Sequence, residues 1–564
     1  MIKSIRILFT GVVCAYSAVL SAALDSEIGI GLSGPYPFLL KSTSSKQLVE
    51  TARDHQWSIN FTRSNQADTI KLIAIRVQFQ KDVSTLTTGN GLFFTTANLD
   101  NGDQDEKINY STIEKNNDTL YKYDRLPHDS TYFALQLEMV KSYYKKVSKG
   151  KLIITSEIYP KSNNEVGYSV KDALPAYSPG GKKKKESYDD YYNRKTAGLM
   201  RFINDAIAAA NDAKTNSPFA NITYNASDKT FRDQAGHKTV FMIIHAGASY
   251  LTNGGDGRGK YNDTPSDLID AFINRDFIKY YQDSLKLKTA GFPVNGKNGE
   301  MLLDEIMMCA ETSNQDGLNW GIQGVLVNQI ARQLGIPDLF STSSGTSAIG
   351  SFCIMDFAGY SAGKGFIPPY PSAWVRAFMG WDKVKIASPG VRKNYQVKAL
   401  TSVLDRDSAT AAAYTGDDTT ILLVPINDHE YYLVENRQRN LSGNKDLFKY
   451  DTTEDDNIVH IAEYPNNVNI EKNVVTTNNY RVIEKVNNND ISLPASGILV
   501  WHVDENIIRN RLANNFINAD SLYRGVSLVE ADGVNDLGIT FSNAFYSAIY
   551  DYGGSEEIFP HQTT

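Results

Sequence analysis

The chain has 564 residues, with 57 Lys and Arg against 64 Asp and Glu, for a formal net charge of −7. That mild acidity argues against nucleic acid as the main partner. A hydrophobic content of 41%, with 32 Tyr and 24 Phe, supplies sizeable cores for three or four units of ordinary domain size.

Residues 1–23 have the pattern of a secretory signal peptide. Lys3 and Arg6 precede an apolar run from Ile7 to Leu20, and Ser21-Ala22-Ala23 offers small residues for cleavage after Ala23. Cys14 lies in the apolar run behind Val13, which does not suit a lipoprotein anchor. No later stretch reaches the roughly 20 consecutive apolar residues that a membrane span needs. The expectation is an exported chain, extracellular or at the cell surface, with an N-terminal segment over residues 24–67.

The first clear strand is Ile70 to Phe79, with Ile73, Ile75, Val77 and Phe79 on one face. The acidic stretch Asn98 to Lys107 reads as a solvated loop; its carboxylates do not follow EF-hand order, so calcium is only a weak candidate there. A helix follows, capped by Asp129 or Ser130, with Phe133, Leu137, Val140, Tyr144 and Val147 in one stripe. The strand "KLIITSEIY" comes next. The lysine run Lys182 to Lys185 is flanked by glycine and serine and reads as a solvated loop. A second helix runs from Tyr191 to Ala210, and Val240 to Ile244 forms an interior strand. Beyond Trp381 short alternating runs ("TILLVPI", "EYYLVENR", "GILVWHVDE") mark a β-rich region.

Between these halves lies "GVLVNQIARQLGIPDLF", Gly324 to Phe340. Ile322, Val325, Leu326, Ile330 and Leu334 give it an apolar helical face, Gly335 ends it, and Pro337 blocks its continuation. On composition alone, Asn328, Gln329 and Arg332 would be the polar side of an amphipathic helix. Their spacing, however, is that of H-E-x-x-H, in which two His hold zinc and the Glu activates water. Gly335 and Asp338 then stand at the turn glycine and third ligand of H-E-x-x-H-x-x-G-x-x-D.

The flanking text resembles, in order, the immune inhibitor A-like family of secreted bacterial zinc metallopeptidases. It does so through "QLGIPDLF", "GSFCIMDFAGY" and "YPSAWVRAFMGW", with Met355 matching the methionine turn. Upstream "VKSYYKKVSKGKLIITSEIY", "RFINDAIAAAN" and "VFMIIHAGA", and downstream "EYYLVENRQ", "GILVWHVDENI" and "GVSLVEADG", extend the likeness over roughly residues 70 to 560. The resemblance implies an α+β fold. A zincin-like peptidase domain over residues 68–385 would carry an active-site helix under a cleft, and a β-rich domain over 386–564 would follow it. The family pattern leads one to expect further β structure after "IFPHQTT".

The chemistry is what this sequence departs from. A carboxamide is a poor zinc ligand, a guanidinium stays cationic, and Gln329 cannot take a proton from water as a carboxylate can. No metal or other cofactor is therefore expected, and no active catalytic residue. The acids Asp304, Glu305, Glu311 and Asp338 could gather near the cleft, but Arg332 would stand among them, and a pair between Arg332 and Asp338 is the expected outcome. His245 and His502 read as hydrogen-bonded scaffold residues. Cys309 and Cys353 are the two cysteines outside the expected signal peptide; export makes a disulfide between them possible, and they could equally be two buried thiols, since neither has a redox or metal spacing. The leading expectation is a pseudo-peptidase that binds a polypeptide or cell-surface ligand. The alternatives are an active metallopeptidase with a non-standard site and a structural or adhesive surface protein.

Overall fold

The computed structural model describes residues 68–95, 123–161, 165–252, 264–313, 321–404, 418–439 and 479–560, short stretches within these apart, together with a few strand residues between 451 and 475. The expected signal peptide, residues 1–23, the N-terminal segment 24–67 and the acidic stretch Asn98 to Lys107 lie outside the described residues.

Helix and sheet are mixed, as an α+β chain requires. The first half is built on β1 (Asp68–Gln78), α1 (Ser130–Val147), β2 (Leu152–Tyr159), α2 (Tyr188–Asn211), β3 (Lys238–Ala248), β4 (Ala271–Ile273) and β5 (Ile306–Thr312). Its sheet has the order β2-β1-β3-β5-β4, parallel except for the antiparallel edge strand β4, with short strands appended at β1 and β3. In β1, Leu72 to Val77 are buried without interruption rather than on one face. A parallel strand covered on both sides has no solvated face, so alternation disappears. The same holds for β3, where every residue after Lys238 is buried.

Asp129 caps α1 by accepting from the backbone N–H groups of Thr131 and Tyr132, and the whole predicted stripe is buried. This helix packs on β2 and also on α3 (Gln323–Gln333), where the Tyr144 hydroxyl donates to the Val327 carbonyl at 2.6 Å. Lys183, Lys184 and Lys185 are exposed, as a solvated loop would have them.

After α4 (Ala373–Phe378) a second sheet begins with β6 (Val384–Ile386). It continues through β7 (Ile421–Pro425), β8 (Glu430–Arg437), β9 (Gly497–Asp504) and, beyond α5 (Glu505–Arg511), β10 (Val526–Leu528). The strands lie in that order, with Phe559–Pro560 also on β9. One apolar core runs through both halves, and buried ion pairs reinforce the join. Arg376 of α4 meets Asp382 at 2.7 Å and Glu435 of β8 at 2.8 Å, all three side chains fully buried. Trp501 Nε1 donates to Glu435 at 2.8 Å, and Arg437 pairs with Asp490 at 2.5 Å. Burial pushes the Glu435 carboxyl up, but Arg376 and Arg437 outweigh it and hold it below its ordinary range. No helix among the described residues is long and apolar enough to cross a membrane.

Candidate functional site

The helix α3 ends as its sequence dictates. Gly335 takes φ +81°, its N–H donates to the Arg332 carbonyl at 2.8 Å, and the Ile336 N–H reaches back to Ala331 at 3.0 Å. Those two bonds make a Schellman motif, which frees the chain to turn at Pro337. Asp338 is thereby brought back beside the last turn of the helix.

All eleven residues of α3 are buried, including Asn328 at 1% exposure, Gln329 at 0% and Arg332 at 5%. The composition-only alternative, a polar side of an amphipathic helix, is thereby set aside: the helix is enclosed all round, so its polar groups must find partners inside. Asn328 Nδ2 donates to the Ile354 carbonyl at 2.8 Å, next to Met355. Gln329, with its amide turned so that both ends are satisfied, donates to the Ala271 carbonyl of edge strand β4 at 3.1 Å and accepts from Arg332 Nη1 at 3.2 Å. Arg332 Nε donates to Asp338 Oδ1 at 2.9 Å. The anticipated ion pair is thus present, with side-chain exposures of 6% and 0%.

Met355 is fully buried, and its carbonyl accepts from the Leu339 N–H at 2.8 Å, so the chain at Met355 and the 336–340 turn are locked together. Beneath the turn, Asp356 Oδ2 accepts from the N–H groups of Ala348, Ile349 and Gly350 at 2.6–3.1 Å. The close fit of α3 on this layer depends on missing side chains. A Cβ on Gly324 would stand 2.4 Å from the Gly359 carbonyl oxygen, and one on Gly359 would stand 2.5 Å from that of Ile354.

The structure thus brings Asn328, Gln329, Arg332, Asp338 and Met355 together, but not the other acids. Asp304 faces Arg275 at 3.6 Å and Glu305 accepts from Gln333 at 3.0 Å. Glu311 pairs with His128 at 2.9 Å and also accepts from the Phe94 and Gly247 N–H groups. Among the described residues no three His, Cys, Asp or Glu side chains form a group that could hold a metal. The donor set at α3 fits zinc badly: its amide N–H face is turned to carbonyls and a guanidinium occupies the carboxylate.

For the cysteines, the structure has the buried thiols rather than the disulfide. Cys309 and Cys353 are free and buried, Cys309 donating to Met242 Sδ at 3.8 Å and Cys353 accepting from the Ser372 N–H at 3.4 Å. One sits in the central sheet and the other in the methionine turn, each with its own neighbours, and burial pushes both thiols up. His245 is fully buried between Phe79 and Phe202, with Nδ1 3.0 Å from the Ala246 carbonyl, and burial lowers its pKa to about 4. His502 is partly exposed, with Nε2 3.5 Å from Glu430.

Sequence reasoning missed two contributors. Asp270 is buried within electrostatic reach of Arg332, accepts from Ser249 at 2.6 Å and from the Ala310 N–H at 2.9 Å, and is raised by burial to about 6. Asn515 comes from the second half of the chain, just beyond α5. Its Nδ2 donates to Asp338 Oδ2 at 2.7 Å and its Oδ1 accepts from the Asp338 N–H at 2.9 Å. No motif marks Asn515, which lies 177 positions from its partner. Neither the protein-family models nor the curated proteins contain a match to this chain.

Proposed function

We propose that this chain is a secreted pseudo-peptidase: a zincin-like scaffold, similar to that of immune inhibitor A-type peptidases, from which zinc chemistry has been removed. The observation that carries this is the Arg332–Asp338 pair. Where the motif of the resembled family puts a metal between helix and turn, this chain has an internal cation bound to a carboxylate. A fixed positive charge beside Asp338 repels a divalent ion, and Gln329 offers no general base. The turns that would frame the site are kept, so its role is to bind a polypeptide or cell-surface partner without cutting it. Export through residues 1–23 belongs to the same reading.

The test is to produce the protein and an Asn328→His/Gln329→Glu/Arg332→His variant, and to measure bound zinc and casein cleavage in both. A metal-free, inert parent with zinc recovered in the variant is the expected result. Stoichiometric zinc together with cleavage in the parent would overturn the proposal.

A further inference from the structure

The β-rich half does more than pack against the first. The segment from Arg511 to Arg524 lies along the turn that carries Asp338 and grips it at successive points. The Thr342 hydroxyl donates to the Asn515 carbonyl at 2.6 Å, and Ser343 donates to the Ala519 carbonyl at 2.6 Å. Asn518 Nδ2 donates to the Leu339 carbonyl at 2.8 Å, and Arg524 Nη1 donates to that of Ala348 at 2.8 Å. At the centre is Asn515, 1% exposed, whose amide takes both the N–H and the outer carboxylate oxygen of Asp338.

We infer that Asn515 is a positioning residue, which fixes the Asp338 carboxylate so that its remaining oxygen faces position 332 of α3. The geometry is two-sided. Asn515 holds Oδ2 while Arg332 holds Oδ1, so the carboxylate cannot rotate without losing one of them. Carboxylates that ligate metals are oriented in this way by outer hydrogen bonds. The role as outer support for a former ligand rests on the reading of Asp338 given above; the orienting role stands on the geometry alone. It also makes the site a joint product of the two halves of the chain.

Asn515 has φ +57°, a left-handed conformation that Gly adopts at least as readily. Asn515→Gly therefore deletes the amide and leaves the turn unstrained. This separates positioning from a merely structural role, for which Gly would serve as well. The first measurement is the zinc affinity of the full chain carrying Asn328→His/Gln329→Glu/Arg332→His, with and without Asn515→Gly, by competition between ZnCl2 and a chromophoric chelator. A loss of about 10- to 100-fold is expected from removal of an outer-shell partner. Affinities within about twofold of each other would overturn the inference.

If the restored chain takes up no zinc, the pseudo-peptidase reading fails and Asn515 is judged in the native chain. There the shift in urea midpoint caused by Arg332→Met should fall by at least about half when Asn515 is Gly, because the two residues act through one carboxylate. An undiminished shift would refute the positioning role.

Discussion

Removing the carboxylate of Asp338 tests the central feature of the site directly. In Asp338→Ala the Arg332 guanidinium stays in a place where its residue is 5% exposed, with Gln329 Oε1 at 3.2 Å and the buried Asp270 nearby. It cannot shed its proton to escape the cost of burial. Breaking one side of a buried ion pair costs about 3–5 kcal/mol, against about 0–1 kcal/mol for an exposed pair. At about 2–4 °C per kcal/mol for a unit of this size, the melting temperature should fall by at least about 6 °C. Arg332→Met should cost less, because Asp338 keeps its two bonds to Asn515. The double variant Arg332→Met/Asp338→Leu should recover most of the loss, since well-packed apolar groups often replace a buried pair at little cost. Urea titrations read by tryptophan fluorescence and far-UV circular dichroism give the cycle. If Asp338→Ala lowers stability by less than about 1 kcal/mol, the pair is solvated in solution, and the claim that it has replaced a metal loses its physical basis.

Three further outcomes follow from the same coordinates. Both described thiols are fully buried and their pKa values are pushed up, so Cys309 and Cys353 should be silent to Ellman's reagent in the folded protein and both react in guanidinium; a chain without the leader that yields no thiol after unfolding contradicts this. His245 carries a pKa lowered from 6.5 to about 4, so between those values the unfolded state binds more protons and stability falls as pH drops. The size is about 3 kcal/mol at about 1.4 kcal/mol per unit, and His245→Phe should remove that part of the acid dependence; an unchanged slope between about pH 6.5 and 4 refutes it. Gly324→Ala would place a methyl 2.4 Å from a backbone oxygen and should destabilise by about 1–3 kcal/mol or more, despite the better helix propensity of Ala; a neutral or stabilised variant in thermal melts would mean the helix seat is looser than described.

Local signals in the sequence announced the elements that local physics controls. Asp129 as a cap, Gly335 as a left-handed stop and the stripe of α1 depend on a few neighbouring residues, and each stands where its spacing puts it. Burial around β1 and α3 was not legible in the same way. Alternation and amphipathic spacing describe a segment against one apolar neighbour, and both segments are enclosed on all sides. Of the three polar positions of α3, Arg332 pairs with nearby Asp338, as its spacing suggested, whereas Asn328 and Gln329 find interior partners in Ile354 and Ala271 that no local pattern announces. Asn515 is the extreme case: an ordinary residue in an Asn-rich stretch acquires meaning only when folding brings it onto Asp338. At α3, Gln329 and Arg332 bond each other, Arg332 bonds Asp338, and Asp338 is held in turn by Asn515, so the hydrogen bonds of each depend on the others. In the reading proposed above, zinc ligands restored to α3 replace Gln329 and Arg332 in that network while Asp338 keeps its bonds to Asn515, so the restored helix has to take up zinc, and a helix that does not counts against the pseudo-peptidase reading.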